Sequence, residues 1–348
     1  MGVNWVNYAI TTSAVDVSAS AYGSSAIALF GQAALHITDA LTLTLGGRYS
    51  KDKKWARQSG ANTHPGLPLI AVPFSTKNWL SSSSFDPRVV LDYKINRDAS
   101  VYASYSTGYK GGGFQYIPFT LAVANTTFRP ESLTAYEAGF KTDWFGRALR
   151  VNGAFFWYDY KDLQVARILG SVSSATPLID NAASSTIKGV ELEVTGHVTP
   201  TTTLGLSYGY LDAKYNKFVY NASIDFSNTR MVRAPKHSVS VNAEQRITLG
   251  SNKELTLRAD YSYMSDFFHE PGEGNIAYGV GTPLTREKGY GLLNLRAGMD
   301  IGAVRVTAYV TNLTNEAYRR TLLYLPNGSS VGFSGEPRIY GASIGYHF

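Results

Sequence analysis

Cysteine is absent from this chain of 348 residues, and charged side chains are scarce. The lack of cysteine excludes disulfides, zinc fingers with thiolate ligands and cysteine nucleophiles. Asp, Glu, Lys and Arg make up only 17% of the residues, against about 25% in an ordinary soluble domain. Long apolar runs are also missing: the longest, such as residues 26–30, fall far short of the roughly 18 residues that a membrane helix needs. A chain of this kind can cross a membrane only as strands.

A basic segment is missing too, although the net charge is +6. Lys and Arg are scattered along the chain, which argues against nucleic-acid binding. The six histidines lie far apart without the spacing of metal ligands, so we expect neither a metal site nor a cofactor.

What the chain does contain is a regular alternation of apolar and polar side chains. Near the end of the chain, Tyr340, Ala342, Ile344 and Tyr346 share one face of a predicted strand, and small or polar residues share the other. The same period of two recurs in residues 41–49, 190–194, 204–210 and 255–263. The strands of a soluble β-sandwich alternate in the same way, so the period alone does not show which face of the sheet contacts water.

Two further patterns favour a transmembrane barrel over a sandwich. The apolar faces often end in Tyr, Phe or Trp, as expected for rings at membrane interfaces. Tight turns also alternate with long polar loops, as in bacterial outer-membrane barrels. The turns are predicted near residues 38–40, 96–98, 145–146, 199–201, 250–252 and 301–302, and the loops near 54–78, 112–131, 169–181, 213–233, 267–287 and 315–336.

The fold class predicted is therefore all-β, a transmembrane antiparallel β-barrel of about 14 strands. Residues 147–168 are kept as one long strand, because dividing it at 159–162 would move the turn at Thr199 to the other side of the membrane. A weaker strand is expected at 3–12, within a less defined segment 1–23. The thirteen firm strands are 24–38, 41–54, 79–96, 99–112, 132–145, 147–168, 181–198, 202–216, 234–249, 253–267, 286–300, 303–314 and 336–348.

Several segments resemble, in the same order, the barrel of TonB-dependent receptors. They are VYASYSTGYKGGGF at 101–114, RPESLTAYEAGFK at 129–141, FWYDYKDLQV at 156–165, IKGVELE at 187–193 and TNLTNEAY at 311–318. The terminal aromatic Phe348, with Tyr346, is similar to the signal by which such barrels are recognised for assembly. The resemblance covers nearly the whole chain from about residue 24.

This resemblance implies a receptor in the outer membrane of a Gram-negative bacterium, in contact with lipid and inserted by the barrel assembly machinery. Such receptors form 22-stranded barrels blocked by a plug domain, and they take up scarce large solutes such as ferric siderophores with energy passed from TonB. The chain corresponds to about the last fourteen strands. Because residues 1–20 show no secretory signal, we expect the plug, the TonB-contacting segment and some eight strands to lie outside this chain. The last strand then pairs either with residues 3–12 or with nothing.

Ligand contacts are expected from aromatic side chains in the long outer loops, where rings near solvent suit a flat or apolar ligand. The opposing explanation is that the same rings pack the loops together. The candidates are Phe114, Tyr116, Phe119, Phe268, His269, Tyr278, Tyr324 and Phe333, with Phe267 beside them. The identity of the solute stays open.

Other polar groups have simpler explanations than catalysis, and no enzyme activity is expected. Residues 111–113 are three glycines after a strand, but no helix pattern follows, so we expect a loop bend and not a phosphate site. The acidic pairs Asp159 with Asp162 and Glu191 with Glu193 suit a wet inner wall. Arginines 48, 150, 258, 296 and 305 are expected to face the lumen, as scaffold charges or as attractors of an anionic ligand.

Two rival functions are also consistent with the sequence. A plug-free barrel of fourteen strands would be a passive porin-like channel, with steady large conductance in planar bilayers. A soluble β-rich binding protein or enzyme would stay in solution without detergent and would not show heat-modifiable migration on a gel.

Overall fold

A computed structural model of the chain describes residues 2–11, 14–62, 70, 72–169, 176–221, 224–273, 285–324 and 330–346. One antiparallel sheet contains fourteen long strands, and each strand pairs with its neighbours along the chain. These strands are β1 (Gly2–Thr11), β2 (Ala14–His36), β3 (Leu41–Asn62), β4 (Phe74–Asn96), β5 (Ala99–Lys110), β6 (Glu131–Trp144), β7 (Leu149–Leu169), β8 (Thr176–Thr199), β9 (Thr202–Asn221), β10 (His237–Thr248), β11 (Lys253–Met264), β12 (Tyr290–Ile301), β13 (Val304–Thr311) and β14 (Ile339–Tyr346).

Several short elements lie at the end of the sheet where the long connections are. Gly113–Phe114 pairs with Thr127–Phe128, Phe267–Phe268 with Arg286–Glu287, Arg319–Tyr324 with Ser330–Ser334, and Ile224–Asp225 with β9. A single helical turn, α1 (Leu121–Ala124), is capped by the Thr120 hydroxyl. Within the described ranges, no helix has the length and apolarity needed to span a bilayer.

All thirteen firm strands and the weaker fourteenth are confirmed, but several are longer than expected. β2 begins at Ala14, β3 continues to Asn62 and β4 begins at Phe74. Much of the loop predicted at 54–78 is therefore strand. The apolar period ends near Tyr49, whereas the backbone ladder between β3 and β4 continues to Gly60 paired with Phe74. Backbone hydrogen bonds extend a strand that side-chain patterning no longer marks.

The prediction that residues 147–168 form one strand is also confirmed. β7 runs without interruption from Leu149 to Leu169. Its ladder with β8 has irregular register between Asp180 and Ser185, and Asp162 has a φ of 54°. The register shift is confined to these few residues, as at a β-bulge, and the strand continues beyond it.

The register separates the sheet into a polar and an apolar face. On the polar face Arg48 lies opposite Asp86, and Glu244 lies opposite Arg258. The five arginines expected to face the lumen all lie on it. On the apolar face Leu29 and Ile344 are 79% and 78% exposed. A soluble sandwich would bury this face, whereas a barrel presents it to lipid.

The two ends of the strand order remain separate among the described residues. β14 pairs with β13 from Ile339 to Tyr346, and β1 pairs with β2 from Gly2 opposite Gly23 to Thr11 opposite Ala14. No ladder joins β1 to β14 in this part of the chain. Of the two outcomes expected for the last strand, the unpaired edge is the one observed.

Close packing on the polar face makes one glycine sensitive to substitution. A Cβ at Gly139 would lie 2.6 Å from the Gly153 carbonyl oxygen and 2.7 Å from the Tyr102 ring, whereas a Cβ at Gly209 would meet nothing within 4 Å. We expect Gly139→Val to lower the free energy of unfolding by about 1–3 kcal/mol through overpacking. Gly209→Val is the matched control and should change it by less than about 0.5 kcal/mol. Urea midpoints of heat-modifiable gel migration measure both, and equal midpoints would contradict the packing argument.

Candidate ligand-binding surface of the outer loops

The long connections all lie at one end of the sheet, opposite the tight turns. The tight turns join β2 to β3, β4 to β5, β6 to β7, β8 to β9, β10 to β11 and β12 to β13. The long connections that carry the candidate residues are 111–130, 222–236, 265–289 and 312–338. We call these four segments the outer loops.

Three outer loops meet in a group of charged residues that we call the arginine network. It consists of Arg230, Arg233, Arg286 and Arg319 with Asp266 and Glu287. Arg230 Nη1 and Arg286 Nε lie 3.0 and 3.1 Å from Asp266 Oδ2. Arg319 Nε donates to Glu287 Oε2 at 2.6 Å. Each carboxylate thus ties one segment of the chain to another.

Further contacts fix this network to the loop backbone. The Arg233 amide donates to the Phe268 carbonyl at 2.8 Å, and its guanidinium donates to the Thr321 hydroxyl. The Arg230 guanidinium lies over the Phe268 ring, 5.4 Å from its centroid. Burial raises the pKa of Asp266, but hydrogen bonds and charge from Arg230 and Arg286 outweigh it, so the net pKa is lowered. The network therefore holds an ionised Asp266 carboxylate between the guanidinium groups of Arg230 and Arg286.

His269 lies inside this network with its side chain fully buried. Its Nε2 is 3.6 Å from Glu287 Oε2, beyond hydrogen-bond length, and neither ring nitrogen has a hydrogen-bond partner in the described part of the chain. The ring packs edge-on against Phe267 at 5.1 Å. Burial lowers the pKa of His269, and the nearby Glu287 only partly opposes this. Burial therefore favours the neutral form of the ring.

A second group surrounds Gln115 in the first outer loop. The Gln115 carbonyl accepts from the Tyr22 hydroxyl at 2.9 Å and from Gln58 Nε2 at 2.7 Å. The Gln115 side chain exchanges two hydrogen bonds with the Ile179 backbone, at 2.8 and 2.7 Å. Gln115 thus joins this loop to β2, β3 and β8. The neighbouring Tyr116 ring stays 63% exposed.

The predicted ligand-binding residues fall into different environments. Tyr116 and Phe333 are exposed, Phe119 and Phe268 are half-buried, and Phe114 and His269 are buried. Tyr278 and the side chain of Tyr324 lie outside the described residues. The structure brings Phe268 and His269 together in the arginine network, and it places Phe114, Tyr116 and Phe119 in the loop held by Gln115.

The expectation that these rings lie near solvent is wrong for Phe114, Phe267 and His269. Short ladders explain this, since Phe114 pairs with Thr127 and Phe267 with Glu287. For these three residues the loop-packing explanation holds. Of the two aromatics proposed as an assembly signal, Tyr346 is 61% exposed, and Phe348 lies outside the described residues.

The glycines at 111–113 are explained by close packing. A Cβ at Gly112 would lie 2.3 Å from the Phe128 carbonyl oxygen, and one at Gly113 would lie 2.4 Å from the Phe128 ring. The Gly112 carbonyl also accepts from Lys54 Nζ at 2.7 Å. The predicted loop bend is therefore the structural role that these contacts support.

Several of the remaining polar candidates have structural partners. Asp159 accepts from Trp157 and Thr186, and Asp162 pairs with Arg129 at 2.6 Å. On the polar face Arg150, Arg258 and Arg305 pair with acidic residues. Among the described residues, no cluster of three or more His, Asp or Glu could hold a metal ion.

The arginine network was not identified from the sequence. A usable signal exists, because the predicted loops 213–233, 267–287 and 315–336 contain five arginines, namely Arg230, Arg233, Arg286, Arg319 and Arg320. Because the same loops also contain six acidic residues, namely Asp225, Glu270, Glu273, Glu287, Glu316 and Glu336, the arginines stand out by residue type and not as a surplus of one charge. Gln115 and Gln58 carry no comparable signal, since isolated glutamines in polar segments are ordinary.

The profile of a family described as TonB dependent receptor-like, beta-barrel, matches residues 1–313. A probable TonB-dependent receptor of Bordetella pertussis, BfrD, is 27% identical over 270 residues, covering 76% of this chain and 33% of that protein. The pesticin receptor of Yersinia pestis is 23% identical over 307 residues, covering 88% of this chain and 41% of that protein. The chain therefore spans less than half the length of these relatives.

Solved structures share the fold. The ferric yersiniabactin uptake receptor FyuA of Yersinia pestis superposes with a TM-score of 0.79 at 18% identity, covering 95% of this chain and 48% of that one. The ferric-catecholate import receptor Fiu of E. coli K12, in its closed form, superposes with a TM-score of 0.73 at 17% identity, covering 100% of this chain and 54% of that one.

The buried His269 predicts that the packing of the outer loops is sensitive to pH. Its folded pKa lies below the ordinary value of 6.5, so its contribution to stability is complete above that value and is lost as the pH falls through the lowered pKa. We expect limited proteolysis of the outer loops to accelerate between about pH 7.5 and pH 5. His269→Phe should remove much of this dependence, whereas the exposed control His197→Phe should retain it. The same pH profile in His269→Phe as in the unmodified protein would contradict the assignment.

Proposed function

Because the chain belongs to the TonB-dependent receptor β-barrel family, we propose that it takes part in active uptake of a scarce large solute, such as a ferric siderophore, energised through TonB. Family and fold indicate a Gram-negative outer-membrane protein. The solved relative FyuA is a ferric yersiniabactin uptake receptor, and another relative is the ferrioxamine B receptor of Salmonella typhimurium. The main observation that supports the proposal for this chain is the arginine network in the outer loops.

The charge of the network suits an anionic ligand. Three of its four arginines contact its two carboxylates, and the fourth, Arg233, contacts the Thr321 hydroxyl, which leaves positive charge at the surface. Arg233 and the neighbouring Arg320 are exposed, and Arg286 keeps 56% of its side chain exposed. Guanidinium groups bind carboxylates and other oxyanions through two parallel hydrogen bonds. An iron chelate with peripheral carboxylate or phenolate oxygens therefore matches the network better than a neutral sugar.

The exposed rings complement these cations. Tyr116 and Phe333 are 63% and 64% exposed in two different outer loops. An exposed ring offers a flat apolar surface to the organic frame of a chelate. In this proposal the arginines select the charge of the ligand, and the rings add contact area.

The other partners follow from the proposed cycle. TonB would act through a plug region that precedes a barrel of this family, and the barrel assembly machinery would insert the strands by way of the terminal aromatics. Lipid would cover the apolar face. The porin-like alternative requires β1 and β14 to join into a closed wall, and the described residues contain no ladder between them.

Iron uptake in the native bacterium tests the proposed function. We expect deletion of the reading frame to abolish accumulation of radioactive iron from its cognate ferric siderophore under iron limitation. A tonB deletion or a protonophore should have the same effect, because the proposed step requires energy. Uptake that continues without TonB, together with steady large conductance of the purified protein in planar bilayers, would support the passive channel and overturn this proposal.

The contribution of the exposed rings can be measured separately. We expect Tyr116→Ala and Phe333→Ala each to weaken binding of the ferric siderophore about 2- to 10-fold, equivalent to about 0.5–1.5 kcal/mol for a lost ring contact. The matched control is Phe145→Ala, since Phe145 is 82% exposed at a tight turn on the opposite end of the sheet. Fluorescence titration with hydroxamate, catecholate and carboxylate ferric siderophores provides the affinities. An equal effect of Phe145→Ala would show that the loss does not arise at the outer loops.

A further inference from the structure

Tyr116 is an exposed ring on a buried segment of the first outer loop. Its side chain is 63% exposed, whereas Phe114 and Gln115 before it and Pro118 after it are buried. Phe114 pairs with Thr127 in a short ladder, and Gln115 is only 1% exposed. The loop therefore holds the backbone on both sides of a ring that stays open to solvent.

Gln115 fixes this segment through both ends of its side-chain amide. Its Nε2 donates to the Ile179 carbonyl at 2.8 Å, and its Oε1 accepts from the Ile179 amide at 2.7 Å. The ladder between β8 and β9 begins only at Ala183, so β9 does not pair with Ile179, and the Gln115 amide bonds to that backbone instead. A carboxylate of the same length lacks the donor for this pair of bonds, and a methionine lacks both groups.

The backbone of the same residue is bonded to two other strands. The Gln115 carbonyl accepts from the Tyr22 hydroxyl at 2.9 Å and from Gln58 Nε2 at 2.7 Å. The Tyr22 hydroxyl also donates to the Tyr116 carbonyl at 3.3 Å. Gln58 is fully buried, and its Nε2 donates to the Tyr22 hydroxyl as well, at 2.9 Å. The backbone at Gln115 and Tyr116 is therefore bonded to β2, β3 and β8 at once.

The ends of the first outer loop have a separate anchor. Gln164 on β7 donates through its Nε2 to the carbonyls of Gly111 and Arg129, at 3.2 and 3.1 Å. This contact joins the two ends of the loop to the sheet and does not involve Gln115. Removal of the Gln115 side chain should therefore release the backbone near Tyr116 and leave the ends of the loop attached.

A ring on a fixed backbone binds a ligand better than a ring on a mobile one. Groups that are ordered only on binding lose conformational freedom, and preorganisation reduces that loss. A tyrosine side chain has only two torsion angles of its own. Most of the freedom of an exposed tyrosine in a loop therefore comes from its backbone, which is the part that Gln115 fixes at Tyr116.

We propose that Gln115 is a positioning residue, which fixes Tyr116 for contact with the transported solute. Gln115 is buried and does not contact the solute itself; it acts through the backbone that it shares with Tyr116. The binding role rests on the proposed uptake function, because it takes Tyr116 as a contact of the solute. The immobilisation of Tyr116 by Gln115 is a property of the chain alone and can be measured without any solute.

Spin labelling of the full chain in detergent measures the immobilisation. Because the chain contains no cysteine, Tyr116→Cys introduces a single attachment site for a nitroxide. We expect the broad electron paramagnetic resonance spectrum of an immobilised label, and a sharp mobile component once Gln115→Ala is added. The matched control is Gln164→Ala, which removes the other amide anchor of the loop and should leave the spectrum unchanged. A label that is mobile before Gln115 is changed, or a spectrum that Gln115→Ala does not alter, would overturn the proposal.

A double-mutant cycle tests the role in binding. The affinities come from fluorescence titration with ferric hydroxamate, catecholate and carboxylate siderophores. We expect Gln115→Ala to weaken binding about 2- to 5-fold when Tyr116 is present, and less than about 1.5-fold in the Tyr116→Ala protein. Gln164→Ala should show no such coupling to Tyr116. Equal weakening by Gln115→Ala in both backgrounds would mean that Gln115 supports the loop in general, and would overturn the positioning role.

The two proposals fail in different ways. If Tyr116→Ala leaves the affinity for all three siderophore classes unchanged, the ring contact of the proposed uptake function is wrong. If Tyr116→Ala weakens binding and Gln115→Ala does not couple to it, only the positioning role is wrong. Heat-modifiable migration reports folding of each variant. Tyr22→Phe, which removes the hydroxyl that bonds to the Gln115 and Tyr116 carbonyls, replaces Gln115→Ala if that variant does not fold, and should show the same coupling with a smaller amplitude.

Discussion

Every strand of this protein depends on backbone hydrogen bonding across a sheet that has no apolar interior of its own. In hydrocarbon, an unpaired backbone N–H or C=O costs several kcal/mol, so a spanning strand must be paired along its length. The ladder from β2 through β14 meets that requirement in chain order. Once the backbone is paired in this way, side chains can only alternate between two faces. The alternation explains how exposed Leu29 and charged Arg258 belong to the same sheet.

The charged groups reach electrostatic balance in ways that depend on their face. On the polar face Arg258 forms ion pairs with Glu244 and Asp260, and Arg305 forms one with Asp300. These arginines are therefore neutralised by acidic residues of the same face. In the outer loops the arginine network surrounds its carboxylates and keeps a surplus of positive charge. A partly buried ion pair costs desolvation energy, which good geometry and several hydrogen bonds offset. The short contact between Arg319 and Glu287, together with the backbone amide of Arg319 on the same carboxylate, meets this condition.

The outer loops gain their shape from small local structures and not from one large core. The backbone and side chain of Gln115 contact three strands, and the buried residues Phe114 and Phe267 each belong to a short ladder. A separate aromatic cluster, in which Phe218 is 1% exposed, packs the outer ends of β8 and β9. Such an arrangement allows each loop to differ between relatives while the sheet remains the same. It also leaves Tyr116 and Phe333 exposed in two different outer loops.

The sheet can be predicted from the residue pattern, because the alternation in segments such as 41–49 and 340–346 is a property of neighbouring residues. The positions of the tight connections can also be predicted from the sequence. So can the continuity of β7, although Asp162 lies within that strand. The tertiary structure alone decided how far β3 continues beyond Tyr49, because backbone pairing leaves no side-chain pattern. It alone decided that His269 is buried and that Arg230, Arg286 and Arg319 meet. These contacts join residues tens of positions apart, and no period along the chain records a distance of that kind.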